Sequence, residues 1–364
     1  MQITIFGLTI SSAWGNGHAT PYRALIRALH RLGHSVRFYE KDVWYYARHR
    51  DFYELPYCDL KFYSDWDSIR EEALADAATA DVVLVASYCP EGARISNEIL
   101  GLPRPLKVFY DLDTPVTFAK FDSGGSTEYL DPRQISAFDL VLSFTGGMAL
   151  CRLKHEYGAQ MARPLYGCVD PDVYHRVNAN SELRSDLSYM GTYALDRQPK
   201  LEELFLEPAR QAPEMRFLLA GSLYPWPWYF PENVNKLEHV FPTQHAELYS
   251  SSRITLNITR KDMAESGFCP SGRFFEAAAC GCPIVTDTWE GLDTFFTEEE
   301  IFVVDSTSAV LQALNLDGAA LEKLALRAQQ RTLDEHTGTH RARELLKYFE
   351  EARSNNRHAQ SEVA

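Results

Sequence analysis

The stretch Gly267-Phe268-Cys269-Pro270-Ser271-Gly272-Arg273-Phe274-Phe275-Glu276-Ala277-Ala278-Ala279-Cys280-Gly281-Cys282-Pro283-Ile284-Val285-Thr286-Asp287 reads as a loop, a helix of small residues, a terminating glycine and a buried strand. Ser271 and Gly272 stand at the helix start, where unpaired backbone N–H groups and the positive dipole end suit a diphosphate. Arg273 adds the bidentate, charge-assisted contact that a guanidinium makes with phosphate. Glu276, one turn further in, is placed to accept hydrogen bonds from the two hydroxyls of a ribose. The alanines let this helix lie close to a sheet. A purely structural helix is the plain alternative, but Ser, Arg and Glu together on an otherwise apolar helix start argue for a site.

On either side of this segment short β-rich runs alternate with longer helical patterns, the signature of parallel α/β units. Strands are expected at Gln2–Leu8, Ser35–Tyr39, Val82–Ser87, Lys107–Tyr110 and Leu140–Phe144, then at Tyr189–Thr192, Arg216–Ala220, Ile254–Thr259, Pro283–Asp287 and Ile301–Val304. Several are apolar throughout, as where helices cover both sheet faces. The rhythm breaks at Cys168-Val169-Asp170-Pro171-Asp172 and in the polar stretch Asn178–Asp186. The expected fold is therefore α/β, with two Rossmann-like doubly wound domains at 1–170 and 188–335 and a linker at 171–187. A final helix follows at 336–352, then a disordered polar tail at 353–364. Ligands are expected where strand carboxyl ends face the cleft between the domains.

Bulk properties narrow the classes. A length of 364 residues suits two domains, and 45% hydrophobic with 12% aromatic residues excludes a disordered chain. No run approaches the roughly 18 apolar residues of a membrane span, and the first strand lacks the flanks of a signal peptide. The net charge of −14 argues against a nucleic-acid partner. Seven cysteines, odd in number and without a C-x-x-C pair, read as reduced thiols of a cytoplasmic protein. His30/His34 and His336/His340 each have a glycine between them, so neither pair is expected to bind a metal on one helical face.

Three further places can carry chemistry. After the first strand, Gly15-Asn16-Gly17 lets the backbone approach a ligand, and His18 beside the next helix can act as a base near pH 7 or simply cap that turn. A dinucleotide fingerprint needs a third glycine where Thr20 stands, which counts against an NAD-dependent oxidoreductase. Asp111-Leu112-Asp113, at a strand end, can hold a divalent metal, bind sugar hydroxyls or take a proton; alone it is more simply a solvated turn closed by Pro115. Arg260, after Ile254–Thr259, either reaches the same phosphates as Arg273 or is a solvated loop arginine. The aromatics of Tyr224–Phe230 can stack a base or sugar, but for most of them a satellite core is favoured.

The segment 267–287, followed by Trp289-Glu290-Gly291-Leu292, resembles the donor-binding region of GT-B glycosyltransferases. It is most similar to the spore-maturation-type glycosyltransferase family (glycosyltransferase family 1/4-like). The resemblance covers the organisation of most of 1–350 and is specific over about 254–304. It implies a C-terminal domain that holds a nucleoside-diphosphate sugar, an N-terminal domain that holds the acceptor, and a last helix packing back toward domain one. Glu276 matches the second glutamate of the family's E-x7-E element, the ribose ligand. The first falls at Phe268, with Glu265 out of register, which leaves the sugar contact and the stereochemistry open. Gly15-x-Gly17-His18-x-x-Pro21 with Gly33-His34 is similar to a pattern of GT-B enzymes such as the peptidoglycan lipid-linked N-acetylglucosamine transferase; it implies that His18 is the base or lines the acceptor site.

The resulting expectation is a hexosyltransferase-like enzyme. It would move a sugar to a hydroxyl of a carbohydrate, protein or small-molecule acceptor, with the nucleotide sugar as co-substrate and neither cofactor nor metal. If the reaction inverts, His18, Asp111 or Asp113 takes the acceptor proton; if it retains, His18 only positions substrates. The rivals are a GT-A-type transferase using Asp111 and Asp113 with a divalent ion, and a non-catalytic nucleotide-sugar-binding protein.

Overall fold

The structure is a computed structural model that describes residues 1–225 and 230–363. It divides into two compact units: Met1–Tyr166 with the C-terminal stretch from Gly338, and Gly167–Thr337. The first holds β1 (Gln2–Gly7), β2 (Ser35–Lys41), β3 (Asp59–Tyr63), β4 (Val82–Ala86), β5 (Leu106–Asp111), β6 (Leu140–Ser143) and β7 (Ala162–Pro164). They form one parallel sheet ordered β3-β2-β1-β4-β5-β6-β7. The second holds β8 (Leu187–Met190), β9 (Phe217–Ala220), β10 (Val234–Leu237), β11 (Thr255–Asn257), β12 (Ile284–Thr286) and β13 (Phe302–Val303). These also run parallel, in the order β10-β9-β8-β11-β12-β13.

Both orders reverse direction once, between β1 and β4 in the first unit and between β8 and β11 in the second. In doubly wound sheets ligands sit outside the strand carboxyl ends at such a reversal. The sheets owe their stability to strands buried on both faces: every residue of Val82–Ala86 and of Phe217–Ala220 is buried. Phe6, Tyr39, Trp66 and Phe109 pack in the first core, and Tyr189, Phe205, Phe217 and Leu256 in the second. Fully burying such a side chain is worth about 1.5–3 kcal/mol.

Three strands carry no clear sequence signal, and all lie at or next to a sheet edge. β3 reads Asp-Leu-Lys-Phe-Tyr, β7 Ala-Arg-Pro and β10 Val-Asn-Lys-Leu. Edges tolerate lysine and proline because the outer backbone groups meet solvent, so the apolar pattern fades there.

The termini differ from expectation. Residues 171–187 lie within the second unit rather than forming a separate linker, and the chain leaves the first unit at Tyr166. The helix expected at 336–352 is Gly338–Val363, continuing through the stretch read as a disordered tail. Ala342, Leu345, Phe349 and Ala352 form its buried stripe. Beyond that, Arg353 donates to the Asp81 carbonyl at 3.0 Å and Asn356 to Asp139 at 2.9 Å. Polar composition masked this anchoring. Among the described residues no helix is long and apolar enough to cross a membrane.

Candidate functional site

In the first unit the loop leaving β1 is locked from below by Glu40, a fully buried carboxylate at the end of β2. It accepts from Thr9 Oγ1 (2.7 Å), Ser11 Oγ (2.5 Å), and the backbone N–H groups of Ile10 (2.8 Å) and Ser11 (3.0 Å). Asp51 accepts from Ala13 N (3.0 Å) and Arg23 (2.8 Å), while Arg23 Nε donates to the Ile10 carbonyl at 2.7 Å. Trp14 stacks on His49 with centroids 4.2 Å apart. Gly15 takes φ +63°, and a Cβ there would meet the Tyr45 hydroxyl at 2.9 Å, so only glycine fits the bend.

Asn16 is the cap of the following helix, Ala19–Arg31. Its Oδ1 accepts from His18 N (2.8 Å) and Ala19 N (3.2 Å). The His18 side chain makes no capping bond, which frees the ring for another partner. His18 Nε2 lies 2.7 Å from Asp113 Oδ2, and the ring meets Tyr88 edge-on at 5.7 Å. His18 Nδ1 is buried and has no hydrogen-bond partner among the described residues. Asp113 is the more open member of the pair, its side chain 20% exposed against 11% for His18. Gly17 is exposed.

Asp111, the last residue of β5, turns inward instead. It is 2% exposed, and its Oδ1 accepts from Asp113 N at 2.9 Å. Burial pushes its carboxyl up to about 7; the Asp113 charge adds to this, while Thr117, the Asp113 N–H and His18 oppose it. The two carboxylates therefore serve different partners and do not converge on one ion. Among the described residues no group of three or more His, Cys, Asp and Glu is gathered as a metal site.

In the second unit Ser271 caps the helix Gly272–Ala279, and its Oγ accepts from Arg273 N (3.4 Å) and Arg273 Nε (3.1 Å). Arg273 Nη1 donates to the Met190 carbonyl at the end of β8, with the guanidinium 5.9 Å from the Tyr189 ring. Ser271, Gly272 and Arg273 are half-buried, whereas Phe274 onward is buried. A Cβ on Gly272 would meet nothing within 4 Å. The turn is open to solvent. Arg260, after β11, lies 3.3 Å from Asp196, which also accepts from Lys261 N at 3.1 Å.

Glu276 is 6% exposed; the Tyr249 hydroxyl donates to its Oε2 at 3.5 Å, and His245 Nδ1 lies 3.8 Å away. Burial and then the Glu276 charge push the Tyr249 and Tyr174 hydroxyls well above the ordinary phenol value. Phe268 adopts φ +46° and donates its N–H to the Glu290 carbonyl at 2.7 Å, with its ring against Gly291. Glu265 is exposed and pairs with Lys261 at 3.7 Å, so no carboxylate takes the position held by Phe268. In the aromatic loop, Trp226–Tyr229 lie outside the described residues, while Tyr224 packs in the core with Phe230 beside it.

Other residues that sequence reasoning missed complete the picture. Asp287, at the end of β12, accepts from Thr259 N (3.0 Å), Thr259 Oγ1 (2.9 Å) and Lys200 Nζ (2.5 Å). Arg197, after β8, is buried. With Glu40, these sit in strands or loops where a lone charge reads as solvated. Asp196-Arg197-Gln198-Pro199-Lys200 gives no sign that its second residue folds inward.

Comparison with known proteins agrees with this architecture. Residues 197–347 match a family model described as glycosyl transferase-like. No curated protein matches the chain by sequence. Over the whole chain the fold is similar to sucrose-phosphate synthase from Thermosynechococcus elongatus, at 13% identity and TM-score 0.69, covering 97% of this chain and 99% of that one. An alpha-glucosyltransferase solved with UDP and a DNA containing a HMU base gives 12% identity and TM-score 0.72, covering 96% and 99%. Anabaena HepE, solved with UDP and glucose, gives 12% and 0.61, covering 96% and 100%. At these identities the likeness establishes the fold: two Rossmann-like α/β domains of the GT-B glycosyltransferase type. The GT-A expectation for Asp111 and Asp113 is thereby corrected, since the fold differs and Asp111 is turned into the interior.

Proposed function

We propose that the chain is a glycosyltransferase of the spore-maturation-type branch. It moves a hexosyl group from a nucleoside-diphosphate sugar to an acceptor hydroxyl in the cytoplasm, without a metal. The observation that carries this reading is the solvent-open turn Ser271–Arg273, inside the segment that matches the glycosyl transferase-like model. As the bond between the sugar and the diphosphate breaks, negative charge grows on the departing phosphate. Backbone N–H groups of the turn, Arg273 and Arg260 oppose that charge; one preorganised donor of this kind is worth about 3–4 kcal/mol. Glu276 takes the ribose hydroxyls in place of its long contacts with Tyr249 and His245.

The acceptor proton goes to the His18–Asp113 pair. Asp113 is its open face, and the imidazole stabilises the carboxylate and shares the proton. Asp111 holds the Asp113 backbone in place. Gly15 and Gly17 keep the surface beside the pair low enough for an acceptor to approach. UDP is the first nucleotide to try, because solved GT-B relatives carry it. The DNA of the alpha-glucosyltransferase complex is not carried over, since this chain has a net charge of −14.

The test is thermal shift and calorimetry against UDP, GDP, ADP, CDP and their sugars, with and without EDTA. The expected result is stabilisation by one diphosphate of about 2.7 kcal/mol at a hundredfold excess over Kd, unchanged by chelator. Hydrolysis of the matching nucleotide sugar gives a readout that needs no acceptor. Absence of binding by all four would refute the proposal, and strict dependence on Mg²⁺ or Mn²⁺ would refute its metal-free part.

A further inference from the structure

Arg197 lies in the loop after β8, beside the reversal of strand order, with 9% of its surface exposed. Nη2 donates to the Thr192 carbonyl at 2.5 Å, but Nε is buried without a hydrogen-bond partner, and the residue forms no ion pair among the described residues. The charged groups facing it are Arg273 and Arg260, of its own sign, together with the Tyr189 and Tyr224 hydroxyls. Burial, then the two arginines, press its acid constant below the ordinary guanidinium value.

A buried cation without a counter-charge is a strongly unfavourable arrangement in a folded protein, and an unmet N–H adds to it. Folds keep such groups where a ligand supplies the missing charge. The backbone beside it is cleared for the same purpose. At Gly191 a Cβ would stand 2.6 Å from the Tyr189 hydroxyl and 2.7 Å from Arg273 Nη1, so the strand end stays bare where the guanidinium groups gather.

We propose that Arg197 is a third arginine ligand of the donor diphosphate, donating its free Nε–H edge to a phosphate oxygen and completing a cluster with Arg260 and Arg273. This rests on the nucleotide-sugar reading above and adds a residue that the reading does not use. Three guanidinium groups match the charge of a diphosphate better than that of a monophosphate, so Arg197 also sets the preference between the two.

The test measures full-length wild type, Arg197→Gln and Arg197→Lys by calorimetry. The probes are the nucleoside diphosphate that binds wild type best, its monophosphate, and inorganic pyrophosphate. Arg197→Gln is expected to weaken the diphosphate and pyrophosphate by about ten- to a hundredfold and the monophosphate by no more than about threefold. Its ligand-free thermal midpoint is expected to equal or exceed that of wild type, because a buried uncompensated charge has gone. Arg197→Lys is expected to fall between, since an ammonium keeps the charge but not the fork. Unchanged diphosphate affinity in Arg197→Gln overturns the inference and leaves the function standing. A parallel loss for all three ligands with a lowered midpoint, or an unfolded Arg197→Gln beside a wild-type-like Arg197→Lys, marks a structural arginine and also overturns it. If wild type binds neither diphosphate nor pyrophosphate, both readings fall together.

Discussion

Replacing Asp111 by Asn tests the electrostatics of the first unit directly. The carboxyl is buried at the end of β5 and is raised from its ordinary 3.8 to about 7. The folded protein therefore keeps a proton that the unfolded chain releases above pH 4. Stability falls with rising pH wherever the native state binds more protons, so the penalty is absent below about pH 4, grows through the window from 4 to 7, and is complete above 7. At about 1.4 kcal/mol per unit over about three units, it reaches roughly 4 kcal/mol. Asn keeps an oxygen for the Asp113 N–H, which Asp111 accepts at 2.9 Å, and has nothing to ionise. Asp111→Asn is thus expected to match wild type in urea unfolding at pH 4.5 and to be more stable by up to about 4 kcal/mol at pH 8. Comparing variant with wild type at each pH cancels the titrations common to both. A difference that stays flat from pH 4.5 to 8, or one that favours wild type at pH 8, would refute a protonated interior Asp111. Because the open member of the neighbouring pair is Asp113, the substitution is also expected to leave turnover within about tenfold of wild type.

Removing either half of the His18–Asp113 pair, as His18→Ala or Asp113→Ala, is expected to lower kcat by about 10²–10⁴, with the double variant no worse than the singles. Unchanged kcat in both would show that the pair does not handle the proton. Arg273→Ala is expected to cut turnover at least tenfold; its bonds to Ser271 and the Met190 carbonyl limit the loss of stability to about 1–2 kcal/mol, read in urea. Glu276→Ala is expected to weaken nucleoside diphosphate and free nucleoside in calorimetry by the same factor, and unaltered affinity would remove the ribose assignment. Glu40→Ala leaves the Ile10 and Ser11 N–H groups buried without an acceptor, for a loss of about 2–6 kcal/mol and faster hydrogen exchange across residues 9–18. A stability change below 1 kcal/mol would show that the loop does not depend on this carboxylate.

The strand–helix rhythm was legible because parallel strands buried on both faces read as apolar runs such as Val82–Ala86. β3, β7 and β10 were not, since lysine, asparagine and proline at a sheet margin look the same in sequence as a loop. Ser271 and Arg273 could be singled out because a helix start has fixed chemistry whatever surrounds it. His18 and Asp113 were each singled out too, but 95 residues separate them, and only the side-by-side order of β1, β4 and β5 brings them to 2.7 Å. Arg197, Glu40 and Asp287 stayed hidden for a different reason. Sequence shows that a residue carries charge, not whether water or the fold surrounds it, and in each case the burial is set by strands far away in the chain. The same limit applied to Asn16, whose amide proved to be spent on capping.

The two units handle charge in opposite ways, and the contrast bears on where a ligand gains its free energy. In the first, each carboxylate that shapes the site already has partners: Glu40 has four donors, Asp51 has Ala13 and Arg23, and Asp113 has His18. Such a surface is preorganised, and a molecule that docks on it gains contacts without relieving anything. In the second, Arg197 faces two more arginines, and of the three only Arg260 has a carboxylate, Asp196 at 3.3 Å. An anion there forms its own bonds and also cancels a repulsion that the free protein carries. Its affinity is accordingly sensitive to how many negative charges it brings, and only weakly to the group attached to them. Contacts outside the cluster, Glu276 among them, are then left to recognise the nucleoside, so phosphate number and base identity are read by separate residues of one unit.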